Sequence, residues 1–140
     1  MTTFSASRVF TASPEKVWAA CADPARLARW WGPDGFTNTF DVCEFKPGGL
    51  WRFTMHGPDG SHYPNEAIFV AIESAHLVVI KHTNQPHFQL TIRFEGTATG
   101  TVVTWQQEFE SAEIAAAIKH IVEPANEQNL SRWQAEVATG

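Results

Sequence analysis

Between Phe36 and Phe109 hydrophobic residues recur at every second position, in short runs separated by turn residues, and this period restricts the fold more than any other feature of the chain. Phe88, Leu90, Ile92 and Phe94 alternate with His87, Gln89, Thr91, Arg93 and Glu95, the pattern of a strand with one face buried and the other in water. Trp51, Phe53 and Met55 repeat it against Arg52, Thr54 and His56, and Val103, Trp105 and Phe109 repeat it with Gln107 as the polar member of the inner face. Strands are expected near Thr37–Glu44, Gly49–His56, Tyr63–Glu73, His76–His82, His87–Glu95 and Thr101–Glu110. The connections, among them Lys46-Pro47-Gly48-Gly49, Gly57-Pro58-Asp59-Gly60 and Thr83-Asn84-Gln85-Pro86, are short and rich in turn formers, which suits an antiparallel meander.

The flanks read differently. Phe4–Phe10 alternates imperfectly and is expected as a first strand. Ser13-Pro14-Glu15 then has the order of a helix start, with Ser as N-cap and Pro at the first helical position, and Val17, Trp18 and Cys21 follow at helical spacing. Asp23-Pro24 caps a second short helix carrying Leu27, Trp30 and Trp31, which Gly32-Pro33-Asp34-Gly35 ends. After Ser111 the helical period returns with Ile114, Ile118, Ile121 and Val122, and Leu130, Trp133 and Val137 continue the apolar stripe. Pro124 lies between these groups and either starts a second helix or kinks a long one. Such an order buries its faces if the sheet curls around the terminal helix, giving one α+β domain over residues 1–140. Periodicity alone does not separate a solid sheet–helix interface from one that leaves a void.

At 140 residues the chain can bury about two thirds of its unfolded surface, enough for one core. Ten Phe and six Trp against one Tyr give that core large apolar surfaces with few polar handles. A net charge of −5 with no Lys/Arg run argues against a nucleic-acid partner. The first residues lack a basic segment leading into an apolar one, and no window approaches the ~18 apolar residues of a membrane span, so no membrane association and a cytoplasmic location are expected. Cys21 and Cys43 are read as small core hydrophobes.

Arg8-Val9-Phe10, Ala12-Ser13-Pro14-Glu15-Lys16-Val17-Trp18, Asp23-Pro24 before Leu27, Trp30-Trp31-Gly32-Pro33, Phe45-Lys46-Pro47-Gly48-Gly49-Leu50-Trp51-Arg52-Phe53 and Gly57-Pro58-Asp59-Gly60 together form a recognisable text. It resembles the helix-grip (SRPBCC) superfamily of START-related and birch-pollen-allergen-like proteins, specifically the branch named for the activator of the heat-shock-protein-90 ATPase. The resemblance implies a curved sheet of six to seven strands wrapped around a C-terminal helix, two short helices after the first strand, and a pocket for a small hydrophobic molecule. It places Trp30 to Pro33 at one end of the sheet and Pro47 to Gly49 at a turn, and it supplies no catalytic motif. Glu66 departs from it, standing where a glycine is expected.

Strand alternation and the implied pocket together nominate Trp51, Phe53, Met55, Phe69, Phe88, Leu90, Trp105, Gln107, Leu130 and Trp133 as cavity walls, with Trp30 as a further ligand contact. The function expected is binding of a small, largely hydrophobic molecule, without a cofactor. A cyclase- or aromatase-like enzyme is the alternative, for which a carboxylate desolvated by the cavity would carry protons, with Glu66 as leading candidate and Glu108 and Asp41 behind it. A chaperone-associated protein-binding module is a third reading, and a homodimer is left open. His56, Asp59 and His62 bracket a hairpin but are read as solvated rather than as a metal site, and His76, His82 and His87 as surface residues at strand ends. No nucleophile elbow, phosphate loop or dinucleotide fingerprint is present.

Overall fold

The computed structural model describes residues 2–139. In chain order the elements are β1 (Thr3–Phe10), α1 (Pro14–Ala22), α2 (Pro24–Trp30), β2 (Thr37–Cys43), β3 (Leu50–His56), β4 (His62–Glu73), β5 (Leu77–His82), β6 (Phe88–Gly96), β7 (Thr101–Phe109) and α3 (Ala112–Thr139). The strands form a single seven-stranded antiparallel sheet in the order β1-β7-β6-β5-β4-β3-β2, curved around the C-terminal half of α3. All strands pair with their chain neighbours except β1, which crosses to the β7 edge. Register aligns the inner rows: Val78 faces Ile92 and Ile92 faces Trp105, while Ile80 faces Leu90 and Leu90 faces Gln107. Irregularities between Phe40 and Val42 and between Phe69 and Ala71 add the local twist that lets the sheet curl.

The short helices form as their capping residues dictate. The Ser13 side chain accepts from the Lys16 N–H and Asp23 from the Ala25 N–H, each with Pro at the start of the helix that follows. The second of them ends one residue sooner than expected, leaving Trp31 as a C-cap in extended conformation. At Gly49 the backbone runs so close to the Glu44 carbonyl that a Cβ would collide with it, which accounts for the Pro-Gly-Gly turn.

Pro124 neither starts a helix nor ends one: α3 runs through it as one element. The residue is exposed, so the carbonyl that loses its donor can be satisfied by water. The two halves of α3 are held by different means. Before Pro124, Ala115, Ile118 and Val122 rest on a small cluster with Phe4, Phe109 and Phe88. After it, Leu130 and Trp133 are fully buried in the main core, and a ring of arginines binds this half to the rest of the chain. Arg8 reaches Glu127, Ser131 and Gln134, and Arg26 and Arg29 both grip Glu136. Those two guanidiniums hold the Glu136 carboxyl below the usual carboxylate range. Among the described residues, side-chain hydrogen bonds from α3 to the sheet and the short helices begin only at Asn126.

Candidate functional site

Near α1 the sheet–helix interface is solid. The Trp133 ring stacks on Trp30 at 4.5 Å between centroids and meets Phe10 and Phe94 edge-on, and Trp18 closes on Phe94 at 5.2 Å. The indole N–H groups of Trp30 and Trp133 donate to the Ala20 and Val17 carbonyls of α1, so both rings are buried with their polar atoms satisfied. Toward the other end the packing opens into a cavity of about 640 Å³. Its floor is Phe53 and Met55 of β3, Phe88 and Leu90 of β6, and Trp105 and Gln107 of β7. Val122, Ala125, Asn126 and Asn129 of α3 roof it, and Trp31, Gly32, Pro33 and Phe36 form one side. His62, Tyr63, Asn65, His82, Gln85, Pro86 and Ile121 surround its mouth.

The Trp-Trp-Gly-Pro segment owes its shape to α3. The Arg132 guanidinium donates to the carbonyls of Arg29, Trp31, Gly32, Pro33 and Phe36, gathering an irregular turn onto the helix. Asn129 adds two bonds, accepting from the Gly32 N–H and donating to the Trp30 carbonyl. Gly32 is required here: its φ is +98°, and a Cβ would lie 2.8 Å from the Met55 methyl group. Partial burial lowers the Arg132 pKa, but a guanidinium stays charged at any working pH.

The polar members of the cavity are mostly amides and histidines. Asn126 donates to Gln107 Oε1 at 3.1 Å across the roof and floor. At the mouth, His82 is 5 % exposed and its ring lies flat against Phe88, 4.6 Å away. Its Nε2 is 2.6 Å from Asn65 Oδ1 and its Nδ1 2.8 Å from the Pro86 carbonyl oxygen. Burial pushes the His82 pKa down, opposed in part by the contact with Pro86. The indole nitrogens of Trp51 and Trp105 are buried without a hydrogen-bond partner among the described residues.

Of the residues expected in the site, Phe53, Met55, Phe88, Leu90, Trp105 and Gln107 are brought together around the cavity. Five are not. Trp30, Leu130 and Trp133 belong to the solid end, beside α1, and Trp31 takes the place expected of Trp30 because the short helix stops before it and turns its ring inward against Trp51 and Trp105. Trp51 and Phe69 stack on one another at 5.4 Å, with Phe53 and Phe45 covering the stack, and neither reaches the void. Glu66 is also misplaced: its carboxylate sits on the outer face 3.4 Å from Arg52, with 46 % of the side chain exposed. Asp41 and Glu108 are exposed as well, and among the described residues no carboxylate side chain lines the cavity. His82 is buried rather than on the surface, since the turn after β5 folds over it. His56 and His62 meet with 2.7 Å between their Nδ1 atoms, whereas Asp59 turns away to accept from Ser61.

Sequence reasoning missed Asn126 and Asn129. Both fall on the stripe of Leu130 and Trp133 at helical spacing, and an amide interrupting an apolar stripe was the available signal. Among the described residues, no helix is long and apolar enough to cross a membrane.

A curved antiparallel sheet gripping one long helix, with a cavity between them, defines a helix-grip domain, a fold that commonly takes hydrophobic ligands. Residues 11–137 match the profile of the family described as activator of Hsp90 ATPase homolog 1-like protein, and the chain belongs to that family. A solution structure from Arthrobacter aurescens is 26% identical, with a TM-score of 0.89 over 99% of this chain and 87% of that one. A crystal structure from Rhodobacter sphaeroides is 24% identical, with a TM-score of 0.86 over 99% and 93% of the two chains. An AHSA1-like protein from Aeromonas hydrophila is 20% identical, with a TM-score of 0.78 over 98% and 92%. A search among curated proteins finds no match.

Proposed function

We propose that this chain is a binding domain for a small, largely apolar molecule held between the sheet and the Val122–Asn129 stretch of α3. The observation that carries this reading is a cavity of about 640 Å³ walled by five aromatic rings, Trp31, Phe36, Phe53, Phe88 and Trp105, and by aliphatic side chains. Sites for small molecules are commonly about 300–1,000 Å³, apolar, with a few polar groups to fix orientation. Gln107, Asn126, Asn129 and His82 are those groups. The enzyme alternative loses its leading candidate, because Glu66 is turned to solvent beside Arg52.

Intrinsic Trp fluorescence during titration with a panel of apolar aromatic probes tests the reading, because Trp31 and Trp105 stand on the wall. Saturable quenching is expected, reduced in Trp105→Phe and lost in Ala125→Trp, which fills the roof. Absence of a saturable response to every probe would remove the reading.

A further inference from the structure

We propose that the cavity selects apolar molecules that end in a carboxylate, the acid group lying near His82, which takes up a proton as the ligand enters. This deepens the binding reading above and rests on it. The charge inventory comes first. The ionisable side chains lining the cavity are His62, Tyr63 and His82; none is a carboxylate, a lysine or an arginine. Any charge the wall itself can carry at neutral or mildly acid pH is therefore positive. The other charged groups near His82 face it from outside the cavity: Lys81, His87, Glu108 and Glu110 border, with His82 and Phe88, a separate surface groove in which His87 disfavours a charge on His82, and Glu66 pairs with Arg52 and accepts from Thr83. The α3 residues lining the roof are not ionisable.

The hydrogen bonds around His82 have the pattern of a protonated ring. Asn65 is oriented by its own Nδ2, which donates to the Tyr63 carbonyl at 2.8 Å, so Oδ1 is the atom left facing His82 Nε2. The Pro86 carbonyl faces Nδ1. Both neighbours accept, and a neutral imidazole has one N–H, so one of the two contacts sets lone pair against lone pair; an imidazolium satisfies both. Against this stands burial, which disfavours a charge without a counter-ion. Without a counter-charge these demands conflict. A carboxylate beside the ring resolves them, supplying the counter-charge where apolar walls make the attraction stronger than in water. The proton comes from solvent and forms the second N–H bond of the ring; no other covalent bond is made or broken. A cationic ligand gains nothing here, and a neutral one leaves the conflict in place.

The test is calorimetric titration of 6-phenylhexanoate and 6-phenylhexan-1-ol between pH 6 and pH 8, in two buffers of different ionisation enthalpy. The expected result is tighter binding of the acid at pH 6, by severalfold and by no more than about tenfold for each unit by which the ligand raises the His82 pKa, with the advantage shrinking toward pH 8 and proton uptake accompanying the acid only. His82→Gln should equalise the two ligands. Should that variant fail to fold, Asn65→Asp serves instead: a permanent carboxylate at Nε2 should abolish proton uptake and weaken the acid selectively. Equal affinity for acid and alcohol at every pH, without proton uptake, overturns the proposal while leaving a working cavity. Binding of neither compound overturns the cavity reading and this inference together.

Discussion

The two ends of the sheet–helix interface are built from the same strands and filled differently. β6 sends Phe94 to the solid end and Phe88 and Leu90 to the hollow one, and β7 divides Val103 from Trp105 and Gln107 in the same way. Both ends are rich in aromatic rings, so aromatic content does not decide where space remains. What changes is the helix. Along α3 the inward residues run from Trp133 and Leu130, through Asn129 and Asn126, to Ala125 and Val122. Where the helix presents a large ring, backed by α1, the interface closes; where it presents amides and a methyl group, it does not. Buried amides also resist collapse, because Asn126 and Asn129 keep their hydrogen bonds only in their present positions.

Substitutions at the two ends should therefore separate stability from binding. Trp133→Ala removes the ring at the centre of the solid end and should cost about 4 kcal/mol in urea denaturation, without regaining any ligand specificity. A loss below about 1 kcal/mol would show that this end is no better packed than the other. Arg132→Ala should be next, at about 2–3 kcal/mol, because five carbonyls lose a charged donor at once and some of them are sheltered from water. This loss should come with weaker probe binding, as Trp31 and Pro33 lose their fixed position on the cavity wall. Asn126→Leu should change stability by less than about 1.5 kcal/mol, since an amide gives way to an apolar side chain of the same branched shape whose extra volume the adjoining void can take up. Its effect should appear in the affinity of ligands carrying a polar group.

The smallest effect expected is one of pH. The folded-state pKa of His82 is depressed by burial, so its stabilising contribution is complete above the unfolded histidine value and is lost as pH falls through the folded one. Unfolding followed from neutral to mildly acid pH should show a decline with a slope under about 1.4 kcal/mol per pH unit, flattened in His82→Gln. An unchanged slope in that variant would place the acid sensitivity elsewhere.

Much of the fold was legible in the sequence. Alternation fixes which strand residues face inward, and the caps at Ser13 and Asp23 fix where the short helices begin, because each depends on neighbours within a few residues. The floor of the cavity was legible for the same reason: Phe53, Met55, Phe88, Leu90, Trp105 and Gln107 all follow from strand phase. The remaining walls were not, because inwardness does not say what lies opposite. Phe69 and Trp51 are as inward as Phe53, but Phe45 and Trp31 happen to cover them. The choice between Trp30 and Trp31 depends on Arg132 and Asn129, about a hundred residues away in the chain, drawing the turn into place. A place at a strand end points His82 to the surface by sequence alone, whereas the backbone of Pro86 returns over it.

The uneven anchoring of α3 has a kinetic consequence. The half after Pro124 is tied down by arginine contacts and by the Trp133 stack, whereas the half before it rests on Ala115, Ile118 and Val122 alone and carries Ile121 and Val122 at the cavity. Amide hydrogens between Ala115 and Glu123 should then exchange through an opening much smaller than global unfolding, while those from Asn129 to Val137 exchange only when the whole domain unfolds. A molecule bridging floor and roof would close that first class of openings and leave the second untouched. The residence time of such a molecule would in this way be set by one end of a single helix, and the lifetime of the fold by the other.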